Sequence, residues 1–426
     1  MNWRWYLFWI KDFITGGKIY KAYEDIKKSY YYGNKNLNED IDNLLKHATN
    51  TSTFYSQYKG KAIEEFPVID KAFIRENFEQ IQSESYKEKK LHKMSTSGST
   101  GTPLTVVQNM TKRQRVIAAV IFFGKLCGYS FGEKQVFLRV WVNSIKKSKI
   151  KKFLQNMIPV DISNLDDKKM EEIVDLLKKG NKARNMMSYA STLEKLVEYM
   201  KNKPRNEYEL KSIISGSELL KENVREELKN IFSCDVVSRY ANEENGILGQ
   251  DCIENNHEIH LNVADYYFEF LKLDEDKPAK EGELARIVVT DLWNYALPMI
   301  RYDTGDLAIV GDAECSMKDR IVIKEIFGRK VDLIYDTNEN PVSPHMITNN
   351  MWDIKNVKQF KFIQEDKDKY KLLLNMENSK KCNSDLLINR FKKILGNDSN
   401  IEIEYTNDIP TLKSGKVKYI ENLYKG

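Results

Sequence analysis

Residues 95–104 read STSGSTGTPL, just after His92, Lys93 and Met94, and the reading of this stretch decides what kind of chain this is. Six of its ten positions carry hydroxyls: Ser95, Thr96, Ser97, Ser99, Thr100 and Thr102. Gly98 and Gly101 open backbone conformations closed to other residues. Successive backbone N–H groups in such a turn can form a concave nest for an anion, and a phosphate chain is the ligand such a loop would hold. The Walker pattern G-x-x-x-x-G-K-[ST] is absent, so taken alone the string also reads as a flexible polar linker.

The rest of the chain weighs against the linker. It has 426 residues, 41% apolar, 30% charged and 11% aromatic, the balance of a folded protein with a large core. Lys and Arg number 67 against 62 acidic residues, a net +5, which is too mild an excess to indicate a nucleic-acid binder. The run Lys146, Lys147, Lys149, Lys151 and Lys152 reads as a solvated face. Five cysteines are scattered with no C-x-x-C pair, as expected in a reducing compartment and without a zinc signature. His257 and His260 read as ordinary histidines. The apolar run from Trp5 to Ile10 is too short to span a bilayer. It reads as an aromatic first helix packed on the body, with an interfacial anchor as the alternative.

Along the chain, residues 1–90 look helical. A helix is expected over Lys112–Leu126 and a buried strand at QVFLRVWV (135–142). Met170, Ile173, Val174 and Leu177 form one helical stripe. SIISG (212–216) and CDVVSRY (234–240) read as short buried strands, so strands and helices alternate as in parallel βαβ units. After residue 258, EIHLNV, YYFEFLKL and ELARIVVTDL predict an antiparallel, barrel-like segment. DTNENPVSP (336–344) is turn-rich, and beyond it the pattern is β-β-α-β. The expected fold is α/β: a large N-terminal domain, 1–328, with parallel βαβ sheets plus the barrel-like segment, and a small mobile α+β lid domain, 329–426.

SGSELL (215–220), RYANEENGILG (239–249), RYDTGDLA (301–308), GRKVDLI (328–334) and PTLKSGKVKYI (410–420) follow STSGSTGTPL in this order. Together the six resemble the ordered motifs of the adenylate-forming superfamily, which includes acyl-CoA synthetases, peptide-synthetase adenylation domains and luciferases. PMIRYDTGD is most like the phenylacetate–CoA ligase branch, which also contains capsular polysaccharide biosynthesis proteins. The resemblance runs from about residue 90 to the C-terminus.

That resemblance implies an AMP-forming acid–thiol ligase using ATP and Mg²⁺, with coenzyme A as acceptor. It places Ser95, Thr96, Ser97, Gly98, Ser99, Thr100 and Gly101 on the β- and γ-phosphates. Tyr240 would stack on adenine, with Ser215, Gly216, Ser217 and Glu218 lining the base. Glu244 would help hold Mg²⁺, a hard cation that prefers carboxylate oxygen, with Glu243 as its neighbouring rival. Asp306 would accept from both ribose hydroxyls, and Arg329 would lie near ribose and phosphate. Lys416 would stabilise developing charge on carboxylate and α-phosphate, a task for a point charge on a flexible stem. The acyl pocket would be lined by Arg139, Trp141, Ser188, Tyr189, Ala190 and the 215–217 turn, and Arg139 could pair with a polar acid or serve a structural ion pair.

Two positions depart from the family pattern. Ala241 stands where relatives often carry glycine, and Val331 stands at the usual acidic hinge, with Asp332 one place later. The expected partner is a small carboxylic acid. Alternative acceptors are a carrier-protein thiol or an amino sugar in surface polysaccharide assembly, and a non-catalytic nucleotide-binding scaffold is the reading from another class. The expected location is the cytoplasm, with peripheral contact at the inner membrane face as the alternative. The sequence identifies neither acid nor acceptor.

Overall fold

The computed structural model describes residues 2–95, 104–141, 153–201, 203, 207–255, 258–317, 320–329, 333–342, 346–347, 350–351, 354, 356–377, 382–410 and 418–424. The chain packs as two compact units. The first comprises 1–304 and 309–325, and the second comprises 305–308 and 326–426.

A short antiparallel hairpin, β1 (His92–Ser95) and β2 (Thr105–Gln108), precedes the main sheet. That sheet has eleven strands: β3 (Gln135–Arg139), β4 (Met157–Asp161), β5 (Asn185–Tyr189), β6 (Ser212–Gly216), β7 (Asp235–Asn242), β8 (Gly246–Asp251), β9 (Ile259–Leu261), β10 (Tyr266–Leu271), β11 (Leu284–Asp291), β12 (Tyr302–Asp312) and β13 (Ile321–Arg329). Their order is β10-β11-β12-β13-β9-β8-β7-β6-β5-β3-β4. The expected βαβ units are present: β5, β6 and β7 are parallel neighbours joined through helices Ala190–Met200 and Glu222–Phe232. Their strands are short apolar runs buried on both faces, as parallel strands must be. From β8 onward the pairing turns antiparallel, through β8–β9 and β9–β13, and these strands extend the parallel ones edge to edge.

The first 90 residues are helical, as expected. Helix Trp3–Ile14 is tied to helix Lys18–Tyr32 by Asp12, a buried carboxylate that accepts from the amides of Ile19 (3.1 Å) and Tyr20 (2.9 Å). A negative charge there complements the helix N-terminus. Phe8 and Trp9 pack toward Tyr23, Ile26, Phe122 and Ala264. Trp3, Tyr6, Leu7, Ile10, Phe13 and Ile14 are exposed, and their i, i+3, i+4 spacing puts them on one stripe. The helix is thus packed on one face and bare on the other. Among the described residues no helix is long and apolar enough to cross a membrane.

A second core gathers Leu44, Tyr55, Phe66, Ile69 and Ile74 against Val106, Leu297, Ile300 and Tyr302. Arg301 secures it. Its guanidinium pairs with both oxygens of Glu269 at 3.1 Å and donates to the carbonyls of Glu64 (3.0 Å) and Phe66 (2.7 Å). Its backbone sits at φ +53°, a region uncommon for a residue with a side chain. Ile69 bridges the chain either side of Tyr302: its amide donates to the Arg301 carbonyl and its carbonyl accepts from Asp303.

In the second unit, β14 (Ile334–Tyr335) and β15 (Pro341–Val342) form a hairpin around the DTNENP turn. Strands β16 (Val357–Gln364), β17 (Lys369–Met376), β18 (Asn400–Tyr405) and β19 (Ile420–Asn422) form a four-stranded sheet ordered β18-β17-β16-β19. Helix Ser384–Leu395 buries Leu387, Phe391 and Leu395 in a core with Phe362, Leu372 and Leu374. The β-β-α-β pattern is met, with β19 added at the edge by parallel pairing to β16.

Candidate active site

The parallel strands set the scene for the site. β4 and β5 flank β3, so the chain leaves β3 on one side and returns on the other. The carboxyl ends of strands at such a reversal form a crevice where ligands bind in open α/β sheets. β3 ends at Arg139, β5 at Tyr189 and β6 at Gly216. The register aligns Ser188, Ser215 and Ser238 across three strands, and Tyr189, Gly216 and Arg239 across the next rung. Because strand side chains alternate faces, the three serines share one face.

Ser188 and Ser215 are buried, at 2% and 0% exposure, and neither hydroxyl has a hydrogen-bond partner among the described residues. The Arg139 Nε and the Trp141 Nε1 are likewise buried and unpartnered. An orphaned buried polar group costs about 1–3 kcal/mol, so the two hydroxyls on one face of β5 and β6, and the two nitrogens at and beyond the end of β3, are groups that a polar ligand would satisfy. Arg139 lies 3.7 Å from Glu243 and 5.7 Å from the Trp141 ring centroid. Burial pushes the Tyr189 hydroxyl pKa up, opposed by the Arg139 charge and its hydrogen bond.

The SGS turn after β6 carries Ser217 at φ +68°, a conformation that side chains rarely adopt and that clusters at functional sites. Glu218 accepts from the Ser191 amide at 2.8 Å, so it caps the neighbouring helix Ala190–Met200. Tyr240 is buried, stands at a β-bulge shared with Ala241, and donates to the Thr304 hydroxyl at 3.4 Å.

Glu244 is 1% exposed. Its carboxylate pairs with Lys71 and accepts from the Tyr302 hydroxyl at 3.2 Å. Lys71 has no signal in the sequence. It begins helix Lys71–Glu76, capped by Asp70, two residues beyond the Ile69 bridge, and that bridge carries it to Glu244. Around this carboxylate lie more orphaned atoms. Gln108 donates to the Glu244 carbonyl at 3.2 Å and Asn294 to the Val107 carbonyl at 3.0 Å, while the side-chain oxygens of Gln108, Asn109 and Asn294 and both polar atoms of the Asn245 side chain have no described partner. A hard-oxygen donor set of this kind fits Mg²⁺. The ion would meet Glu244 in competition with the Lys71 ammonium, whose side chain is 29% exposed and so has a route to solvent.

The sugar- and phosphate-contacting candidates are placed unevenly. Ser95 ends β1 and its hydroxyl bonds that of Thr105, 3.0 Å away, at the start of β2. The STSGSTGTPL loop is therefore the connection of this hairpin. Thr96, Ser97, Gly98, Ser99, Thr100 and Gly101 lie outside the described residues, as does Lys416. In the second unit, Asp306 is half-buried in β12 and follows Gly305 at φ +77°. No atom would touch a Cβ at Gly305, so glycine serves the backbone angle there. Arg329 is the last residue of β13.

One cluster goes unannounced in the sequence. The sequence presents His260 as ordinary and the cysteines as unrelated, yet the Cys252, His260 and Cys315 ligand atoms lie within 4.8 Å of one another. The sheet assembles them from three separate segments, so no local spacing announces them.

Comparisons with known proteins bear on the fold. Residues 334–423 match the CapK C-terminal domain family. The chain is 25% identical to Protein CapK of Staphylococcus aureus over 449 aligned residues, covering 96% of this chain and 95% of that one. It is 26% identical over 152 residues to the phenylacetate-coenzyme A ligase of Thermus thermophilus, covering 34% of each. Among solved structures, 2-hydroxyisobutyryl-CoA ligase in the postadenylation state with R3-HIB-AMP superposes with a TM-score of 0.72 at 15% identity, covering 92% of this chain and 90% of that one. ATP-bound MatB from Rhodopseudomonas palustris superposes with a TM-score of 0.56 at 14% identity, covering 76% and 66%. The chain has the adenylate-forming fold. In sequence it is similar to CapK over nearly its whole length and to a phenylacetate-coenzyme A ligase over about a third of it.

Proposed function

We propose that this protein activates a carboxylic acid with ATP and passes the acyl group to a thiol, with coenzyme A as the acceptor. The carrying observation is the set of buried, unpartnered groups at the carboxyl ends of β3, β5 and β6: the hydroxyls of Ser188 and Ser215, the Arg139 Nε and the Trp141 Nε1. A carboxylate oxygen attacks the α-phosphorus of ATP. The bond from that phosphorus to the bridging oxygen breaks, and pyrophosphate leaves. The thiol then attacks the acyl carbon, its proton is lost, and AMP departs.

The residues divide the work accordingly. The hairpin loop 95–101 holds the phosphates. Tyr240 and the 215–218 turn border the base, and Glu218 fixes that turn against the adjoining helix. Asp306 takes the ribose hydroxyls, Arg329 stands by the phosphates, and Lys416 meets the charge that develops in the first step. Glu244 holds Mg²⁺, which when bound offsets phosphate charge. The segment 329–426 acts as the lid that moves between the two half-reactions, about the altered hinge at Val331 and Asp332.

Lys71→Ala tests the Glu244 arrangement. With its ammonium gone, Mg²⁺ meets a free buried carboxylate, and the Mg²⁺ concentration for half-maximal rate is expected to fall several-fold. An unchanged Mg²⁺ dependence would remove Lys71 from the cation site. Ser188→Ala and Ser215→Ala test the acyl pocket. Each removes an orphaned hydroxyl, so acids with a polar substituent are expected to lose about tenfold in kcat/KM while apolar acids of equal size lose little. Equal losses for both would place the hydroxyls outside the pocket.

The likeness to CapK across 96% of the chain favours a second acceptor, a carrier-protein thiol or an amino sugar in surface polysaccharide assembly. Pyrophosphate release across an acid panel, with and without coenzyme A, separates the two. Acceleration by coenzyme A with thioester formed supports the first reading. Acid-dependent release that ignores coenzyme A supports the second. We place the protein in the cytoplasm, with the bare aromatic stripe of Trp3, Leu7, Ile10 and Phe13 touching the inner membrane face. Co-sedimentation with anionic vesicles, lost on Phe13→Glu, is the expected result; equal recovery with and without vesicles would rule that contact out.

A further inference from the structure

We infer that Cys252, His260 and Cys315 form a metal site, of the kind that takes Zn²⁺, which staples the antiparallel end of the main sheet. Cys252 directly follows β8, His260 sits in β9, and Cys315 lies between β12 and β13. The exposures are 2%, 3% and 6%. The Cys315 sulfur is 3.3 Å from His260 Nε2, and all three donor atoms lie within 4.8 Å of one another. Zinc takes thiolate sulfur at about 2.3 Å and imidazole nitrogen at about 2.0–2.1 Å, so the edge of its tetrahedron is roughly 3.4–3.8 Å. The observed separations accommodate that figure with only small side-chain adjustments.

The backbone around the two sulfurs is independently arranged for thiolate ligands. The Met317 amide donates to the Cys315 sulfur at 3.4 Å, and the amides of Glu254 and Asn255 bond the Cys252 sulfur. In both cases a donor lies two residues beyond the cysteine. Amide hydrogen bonds to a coordinating sulfur are the outer-shell contacts that orient and tune a metal ligand. Each cysteine also belongs to a loop closed at its base. The Cys252 amide donates to the Glu258 carbonyl and the Ala313 amide to the Arg320 carbonyl, each at 2.8 Å. His260 holds its place because β8 and β9 come close at Gly249, where a Cβ would sit 2.7 Å from the His260 carbonyl oxygen. The Tyr30 ring packs 5.7 Å from the imidazole, and Glu254 and Glu258 add negative potential at His260.

Two buried thiols and an imidazole form a soft, nitrogen-and-sulfur donor set, which selects zinc over the oxygen-seeking ions. Three protein donors leave at least one position for water or another donor. The length of β8 separates this cluster from the Glu244 turn, about 15–20 Å at strand rise. The metal therefore acts on the architecture, apart from the adenylation site, and joins three chain segments that also meet through β9 and through the bonds of Ser316 to Glu254 and of Glu314 to Glu258.

Metal analysis of the full-length protein, purified without chelator under reducing conditions, is expected to give about one zinc per chain. Replacement by Co²⁺ is expected to give the intense near-ultraviolet sulfur-to-cobalt charge-transfer band and tetrahedral visible bands. Cys315→Ser and His260→Asn should each weaken Co²⁺ binding by at least about a hundredfold, beyond the scale on which outer-shell partners act. Cys382→Ser, in the other unit, should leave it unchanged. Should the ligand variants fail to fold, the cobalt spectrum of the wild-type chain decides. No stoichiometric metal and no charge-transfer band would overturn the inference, as would a Cys252–Cys315 disulfide found by mass spectrometry in reduced preparations, or wild-type metal retention by both variants.

Discussion

Lys416→Ala is expected to slow acid-dependent pyrophosphate release by at least about a hundredfold, the usual effect of deleting one preorganised charge at a transition state. ATP binding should survive nearly intact. The reason is charge timing. In the ground state the carboxylate and the α-phosphate are separate anions that must be brought together. As the new bond forms, negative charge concentrates on the phosphoryl oxygens and on the departing pyrophosphate. A lysine positioned there stabilises the transition state more than the bound substrates, so its loss shows in kcat rather than in nucleotide affinity. Lys413, the nearest rival in PTLKSGK, supplies the control. Lys413→Ala should retain most of the rate, and a reversal of the two effects would move the role to Lys413.

Arg301→Ala is expected to cost about 3–5 kcal/mol of stability, the range for breaking a buried ion pair from one side. The substitution leaves the Glu269 carboxylate, with side-chain exposure of 9%, facing no cation, and it frees the carbonyls of Glu64 and Phe66 that Arg301 now satisfies. Those carbonyls belong to the N-terminal helical region, so Arg301 locks that region onto the main sheet. Lysine should rescue only partly, because an ammonium cannot match the planar fork that spans Glu269. The double variant Arg301→Met with Glu269→Leu should recover much of the loss, since apolar replacement of a buried pair is often nearly neutral. Denaturant melts read all three. A loss below about 1 kcal/mol in Arg301→Ala would show that the pair contributes no more than a surface contact.

The same arginine illustrates what can be seen in the sequence. PMIRYDTGD is readable as a motif because its residues are contiguous, and the βαβ strands are readable because SIISG and CDVVSRY are short apolar runs between helices. Asp306 behind a glycine of positive φ follows the same local logic. What escapes is non-local. Arg301 looks like any arginine until Glu269, Glu64 and Phe66 are brought to it. Lys71 is one lysine among many until the Ile69 bridge delivers it to Glu244. Cys252, His260 and Cys315 are spread over 64 positions and meet only because β9 pairs with both β8 and β13. Strand β19 is three residues long and depends on β16 for its existence. Ser188 and Ser215 are pocket candidates in the sequence, but the lack of partners for their hydroxyls is a property of the packed sheet alone.

The central claim is that this chain joins a carboxylic acid to AMP. Acid-dependent exchange of labelled pyrophosphate into ATP tests it most directly, because it needs no acceptor and reports only the first half-reaction. A panel of aliphatic, aromatic and hydroxy acids with ATP and Mg²⁺ should give exchange with at least one acid, none without acid, and none in Lys416→Ala. A protein that binds ATP but exchanges no pyrophosphate with any acid of the panel would contradict the account and leave a nucleotide-binding scaffold on an adenylate-forming fold.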